Sequence, residues 1–192
     1  MTDVETLRIF KEKLTTDMWV EFVTNIEHGR TTWIHEMMIR CNKDCLDFIL
    51  CSLSADKTLQ LLKAEDDTHS IPLDRLCDGL KEDGLRRYKS STNEFLHGHR
   101  RYNSSTNEFL QKKELSKSII IMVMELIKGV GDNSRFFLAE SIFNKTVAKL
   151  RNIYMRNRLI NNVTYYQFNY YLHILRTVVE CVSPHQKLKL LG

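Results

Sequence analysis

Strong helix breakers are scarce in this chain, which holds only 2 prolines and 7 glycines among 192 residues. An all-β sandwich or barrel needs Gly- and Pro-rich turns every 8–12 residues or so, and this composition cannot supply them. Long apolar runs are missing too. The longest, Ile119 to Met124, is far shorter than the roughly 20 residues that cross a bilayer as a helix, and it reads as core. The opening residues, Met1-Thr2-Asp3-Val4-Glu5, lack the positive start and apolar stretch of a secretion signal, so no export and no membrane association are expected. Cysteines number five (Cys41, Cys45, Cys51, Cys77 and Cys181), an odd set without a tight pairing pattern. Reduced, buried thiols follow, and with them an intracellular protein of cytoplasm or nucleus.

Several enzyme signatures are begun and not completed. His35-Glu36 opens like a zinc-protease helix, but Ile39 stands where the second histidine must reach the same metal. Cys41 and Cys45 lie one helical turn apart with His35 nearby, a spacing that two buried small residues on one face also explain. His97-Gly98-His99 reads as solvated loop. Gly129-Val130-Gly131 lacks the further glycine and the Lys-Ser/Thr of a phosphate loop, and no serine sits in a Gly-x-Ser-x-Gly elbow. The expectation is a non-enzymatic protein with no cofactor and no metal.

What the chain does have is apolar residues at helical spacing, separated by capping signals. Thr2 with Glu5 reads as a capping box, followed by Leu7, Phe10 and Leu14. Thr16-Asp17 opens a segment carrying Trp19, Val20, Phe22, Val23 and Ile26 that Gly29 closes, and further starts fall at Thr31-Thr32, Lys43-Asp44 and Ser54. Pro72 suits a first helical position, with Leu73, Leu76 and Leu80 inward until Gly84. In the second half, Ser105-x-x-Glu108 predicts a helix from Thr106 to Lys128 that is apolar all round and therefore central. Ser134 predicts a long helix with Phe136, Phe143, Val147, Leu150 and Tyr154 on one side. Thr164-x-x-Gln167 predicts another with Phe168, Leu172, Leu175, Val179 and Val182 inward, ending before Ser183-Pro184. The fold class is all-α, a compact multi-helix domain spanning 1–192.

Between these halves lies a near-copy: Arg86–Leu96 recurs as Arg100–Leu110, 14 residues on, with one mismatch. Solenoid repeats run about 20 to 50 residues and share apolar positions rather than polar ones. Residues 85–113 therefore read as a duplicated polar loop, where insertions cost little.

Charge is divided along the chain. Residues 1–84 carry 10 Lys and Arg against 17 Asp and Glu, whereas residues 85–192 carry 18 against 7, and no acidic residue lies between Glu140 and Glu180. Lys145, Lys149, Asn152 and Arg156 share a helical face, which makes a basic stripe. Arg158 and the tyrosines Tyr166 and Tyr170 add stacking and hydrogen-bonding groups beside it. Lys145, Lys149, Arg156, Arg158, Tyr166 and Tyr170 are the expected contact residues for a macromolecular partner.

The rhythm of short helices over about 80 residues resembles an armadillo or HEAT-type stack, and that resemblance implies scaffolding and recognition. The expected function is a protein–protein interaction module, an adaptor, scaffold or regulatory domain, whose partner is acidic or peptide-like. The alternative is a nucleic-acid binder that uses the basic half.

Overall fold

The computed structural model describes residues 3–24, 26–27, 31–78, 99–156 and 162–192. Their architecture is all-α. In chain order the helices are α1 (Val4–Lys13), α2 (Thr16–Thr24), α3 (Trp33–Arg40), α4 (Lys43–Cys51), α5 (Ala55–Leu62), a 3-10 segment (Pro72–Asp78), α6 (His99–Leu126), a 3-10 turn (Lys128–Val130), α7 (Asp132–Arg156), α8 (Asn162–Glu180) and α9 (Pro184–Leu191). The one extended element among the described residues is a two-residue antiparallel pairing between α2 and α3, with Ile26 opposite Thr32 and Glu27 opposite Thr31.

Local capping chemistry explains where the short helices begin. Asp3, Asn42, Ser54 and Ser183 each accept a hydrogen bond from the backbone N–H three residues on, which satisfies an amide the helix leaves free. Asp3 therefore starts α1, in place of the Thr2–Glu5 box. Cys41 turns the chain out of α3 in the left-handed conformation, with φ at 52°. α9 was not anticipated. Ser183 and Gln186 form a complete capping box around Pro184 at the first helical position, so a segment read as a stop is a start.

Three further expectations change. Residues 99–113 are helix and continue unbroken into α6, so the second copy of the duplicated peptide is not loop, and Ser105 lies inside the helix rather than at its cap. The first copy lies outside the described residues. α6 is also not buried all round: Ile119, Ile120, Val123 and Met124 face the core, whereas Ile121 is 40% exposed. The core-facing sets of the last two long helices match the sequence grouping only in part: Phe143, Leu150 and Val182 do pack inward, and the rest differ. On α7 the core residues are Leu138, Ala139, Ile142 and Thr146, and Val147 and Tyr154 point outward. On α8 they are Tyr170, Tyr171, Ile174, Thr177 and Val178, and Phe168 and Leu172 are exposed. Each helix carries two apolar stripes, and periodicity alone does not say which one faces in.

Packing joins the halves. α8 packs on both α6 and α7, α3 rests on α4, and the 3-10 segment is wedged between α3 and α7. Trp19, fully buried, donates its indole N–H to Ser52 Oγ at 2.8 Å and stacks with Phe22, which ties α2 to the end of α4.

Candidate partner-binding surface

The 3-10 segment is acidic, with Asp74 and Asp78 on the side that meets α7. Opposite it stand Lys145 and Lys149, one helical turn apart. Lys149 Nζ lies 2.7 Å from Asp78 Oδ1, and Arg75 holds the other oxygen of Asp78 at 3.0 Å. Lys145 Nζ donates to Ser70 Oγ at 3.0 Å, and its charge acts on Asp74, which also accepts from Ser141 Oγ at 2.9 Å. Burial pushes the Asp78 carboxyl up, but the Lys149 ammonium and then the Arg75 guanidinium outweigh it and hold the group ionised below its ordinary value. Asp74 goes the other way: burial dominates and raises it, with Ser141 and Lys145 offsetting only part. Lys149 thus pairs with a carboxylate of the acidic half within the same fold, and Lys145 is held beside it by the Ser70 hydroxyl.

A second polar cluster adjoins the first. Ser70 O can only accept, so His35 donates its Nε2–H there at 2.9 Å, and Nδ1 then accepts from Thr32 Oγ1 at 2.8 Å. The ring is neutral and fully satisfied, and burial lowers its pKa despite the Ser70 bond and the nearby Asp66. Asp66 Oδ1 accepts from Thr68 N–H, Thr68 Oγ1 and Ser70 N–H, while Oδ2 takes both Nε and a terminal nitrogen of Arg75. Burial pushes Asp66 up, but the Thr68 and Arg75 bonds prevail and hold it at about 2. These groups lock α3 to the 3-10 segment and leave His35 no free nitrogen for a metal.

The remaining expected contacts divide sharply. Tyr170 is wholly buried and donates its O–H to Leu76 O at 2.9 Å. Its one proton is spent there, so Ser116 donates to the Tyr170 oxygen at 2.8 Å, and the Cys41 thiol completes the chain at 3.4 Å from Ser116. Tyr170 is therefore a core residue and has no surface for a partner. Tyr166 is half-buried, its ring 5.2 Å from that of Phe109. Arg156 closes α7, and Arg158 lies outside the described residues.

Cys41 and Cys45, the pair considered for zinc, are both buried, and burial raises both thiols. Among the described residues no group of three or more His, Cys, Asp or Glu is placed to hold a metal ion. Likewise, no helix among them is long and apolar enough to cross a membrane.

What stays on the surface is a different set. Along the outside of α7, Val147, Arg151, Tyr154 and Met155 fall at i, i+4, i+7 and i+8, the spacing of one helical face. Val147 is 41% exposed, Tyr154 79% and Met155 70%. Such large apolar side chains are seldom left this open together unless something covers them. The first turns of α8 add Tyr165, Phe168 and Leu172, also exposed. Sequence reasoning grouped Val147 and Tyr154 on one side of their helix and placed Phe168 and Leu172 inward. The usable signal was Lys145 and Lys149: once Ser70 and Asp78 of the acidic half hold them, the opposite side of α7 must face out.

Comparison with protein-family models, with curated proteins and with solved structures finds no match to this chain. Function has to be read from the geometry itself.

Proposed function

We propose that this chain is a non-enzymatic interaction module that binds another protein through its helical surface, as an adaptor, scaffold or regulatory domain. The observation that carries this reading is the outer face of α7, where Val147, Tyr154 and Met155 lie open around Arg151. Aromatic residues, Met and Arg are the types enriched at protein interfaces.

The organisation of the N-terminal part supports it. A helix pair, α1 and α2, leads through the short antiparallel pairing into α3 and α4, α5 follows, and the 3-10 segment then packs beside α3. Repeats of the ankyrin type have this order, a β-turn followed by two helices, with a period near 33 residues and a Thr-Pro-Leu-His-x-Ala opening. Thr32-Trp33-Ile34-His35 keeps the Thr and His of that opening, and Ile71-Pro72-Leu73-Asp74 keeps its Pro and Leu. In both, the residue at the fourth place bonds back to the first: His35 to Thr32 Oγ1, and Asp74 Oδ2 to Ile71 N–H at 3.3 Å. The two openings stand 39 residues apart with α5 between α4 and the second, so the likeness covers the openings and not the whole repeat. Stacked repeats build extended recognition surfaces.

The test is capture of partners on the immobilised protein from an extract of the cells that make it, beside the Tyr154→Ser/Met155→Ser double variant. A protein held by the wild type and lost by the variant is expected. Retention of every captured protein by the variant would contradict the assignment of this face.

A further inference from the structure

The inward bonds of Lys145 and Lys149 leave a one-sided charge pattern around the exposed face of α7. No acidic residue occurs from 141 to 179, a span that covers most of α7 and nearly all of α8. The two lysines turn toward Asp78 and Ser70 on the inner side. Arg151 sits on the outer side, exposed, between Val147 and Tyr154, and forms no ion pair among the described residues. An approaching surface thus meets an apolar strip with a cation at its centre and no carboxylate within 10 residues of it in the chain.

From this complementarity we infer that the occupant of the α7 outer face is an acidic amphipathic helix of a partner protein. This deepens the interaction reading above and rests on it. A helix offering leucines at i, i+3, i+4 and i+7 lays a strip over Val147, Tyr154 and Met155, as the apolar faces of two helices pack side by side. Carboxylates flanking that strip reach the Arg151 guanidinium, which pairs with them in a two-pronged geometry that a lysine cannot reproduce. The apolar strip argues for protein over nucleic acid, whose recognition would draw on lysines that here bond inward, Lys149 to Asp78 and Lys145 to Ser70.

The probe is a fluorescent 20-residue helical peptide with leucines at those positions and glutamates on the flanks. The controls are the same peptide with lysine for glutamate, and single- and double-stranded oligonucleotides. Expected are saturable binding of the acidic peptide, a loss of about tenfold in Tyr154→Ser/Met155→Ser, a several-fold loss in Arg151→Glu, and no binding of the lysine peptide. All three side chains are exposed, so thermal unfolding of the variants should match the wild type and separates lost binding from lost fold. Equal binding of both peptides, failure of the acidic one to bind, or oligonucleotide binding that Arg151→Glu abolishes would each overturn the inference. A captured partner that cross-links to α1–α5 would overturn it while leaving the interaction reading standing. Capture of no partner at all would count against that reading itself.

Discussion

Lys149 on α7 and Asp78 at the end of the 3-10 segment, 71 residues apart in sequence, meet at 2.7 Å. The pair joins the basic and acidic halves and explains why a chain so unevenly charged along its length folds on itself. Asp78 is well covered and Lys149 only partly so, which places the contact between a screened surface bridge and a buried one. Lys149→Gln should cost about 1–2 kcal/mol in chemical unfolding. A double-mutant cycle with Asp78→Asn should return a coupling near 1 kcal/mol. Arg151→Gln, half a turn round the same helix, should stay within about 0.5 kcal/mol of wild type. Equal effects of the two substitutions would mean that Lys149 is not clasped in solution.

Tyr170 yields a second expectation. Tyr170→Phe keeps the ring but strands Leu76 O and removes the acceptor for Ser116, so it should destabilise by about 1–3 kcal/mol. Tyr165→Phe, on an exposed residue, should change stability little. Urea midpoints of the two variants make the comparison.

Much of the helix map was legible in the sequence because start signals are local: Thr31-Thr32, Lys43-Asp44 and Ser54 sit within a residue or two of the helices that begin there, although Asn42 supplies the cap of α4 and Thr32 makes no capping bond. Orientation was not legible. α8 has apolar residues at 168, 172, 175 and 179 and again at 170, 171, 174 and 178, and only contacts far along the chain, such as Tyr170 with Leu76, choose between them. The surroundings of the basic stripe were hidden for the same reason. Lys145 and Lys149 do share a face, but Ser70 and Asp78, which they bond, come from the other half of the chain, and one-dimensional spacing carries no record of that meeting.

Stability should fall on mild acidification. Unfolded His35 takes up a proton as the pH drops below its ordinary 6.5, whereas burial keeps the folded ring neutral to lower pH. The unfolded state therefore binds more protons in this window and stability declines through it, by at most about 1.4 kcal/mol from His35 at pH 5.5. His173, also lowered by burial, acts in the same sense, and His173→Gln removes its share. Below the ordinary carboxylate pKa near 3.8 the stabilisation from Asp66 is lost as well, progressively down to about 2. Asp74, raised by burial, opposes this by gaining its proton earlier in the folded state. Urea unfolding at pH 7.5 and 5.5 checks the histidine window, and an unchanged midpoint would contradict it.

Thiol reactivity should follow burial. Cys41, Cys45 and Cys77 are enclosed, and burial pushes the Cys77 thiol up to about 12, with the bond to Thr146 offsetting only part. Alkylation of the native protein followed by mass spectrometry should label Cys51, slowly because burial and Asp47 raise its thiol, and spare those three until denaturant is added.

The most direct test of an inner clasp and an outer docking face is titration of the acidic leucine peptide against Lys149→Gln and Tyr154→Ser/Met155→Ser side by side. The expected result is wild-type affinity for Lys149→Gln and an affinity about tenfold weaker for the double variant. Lost binding in Lys149→Gln with retained binding in the double variant would place the partner on the inner stripe and contradict the assignment.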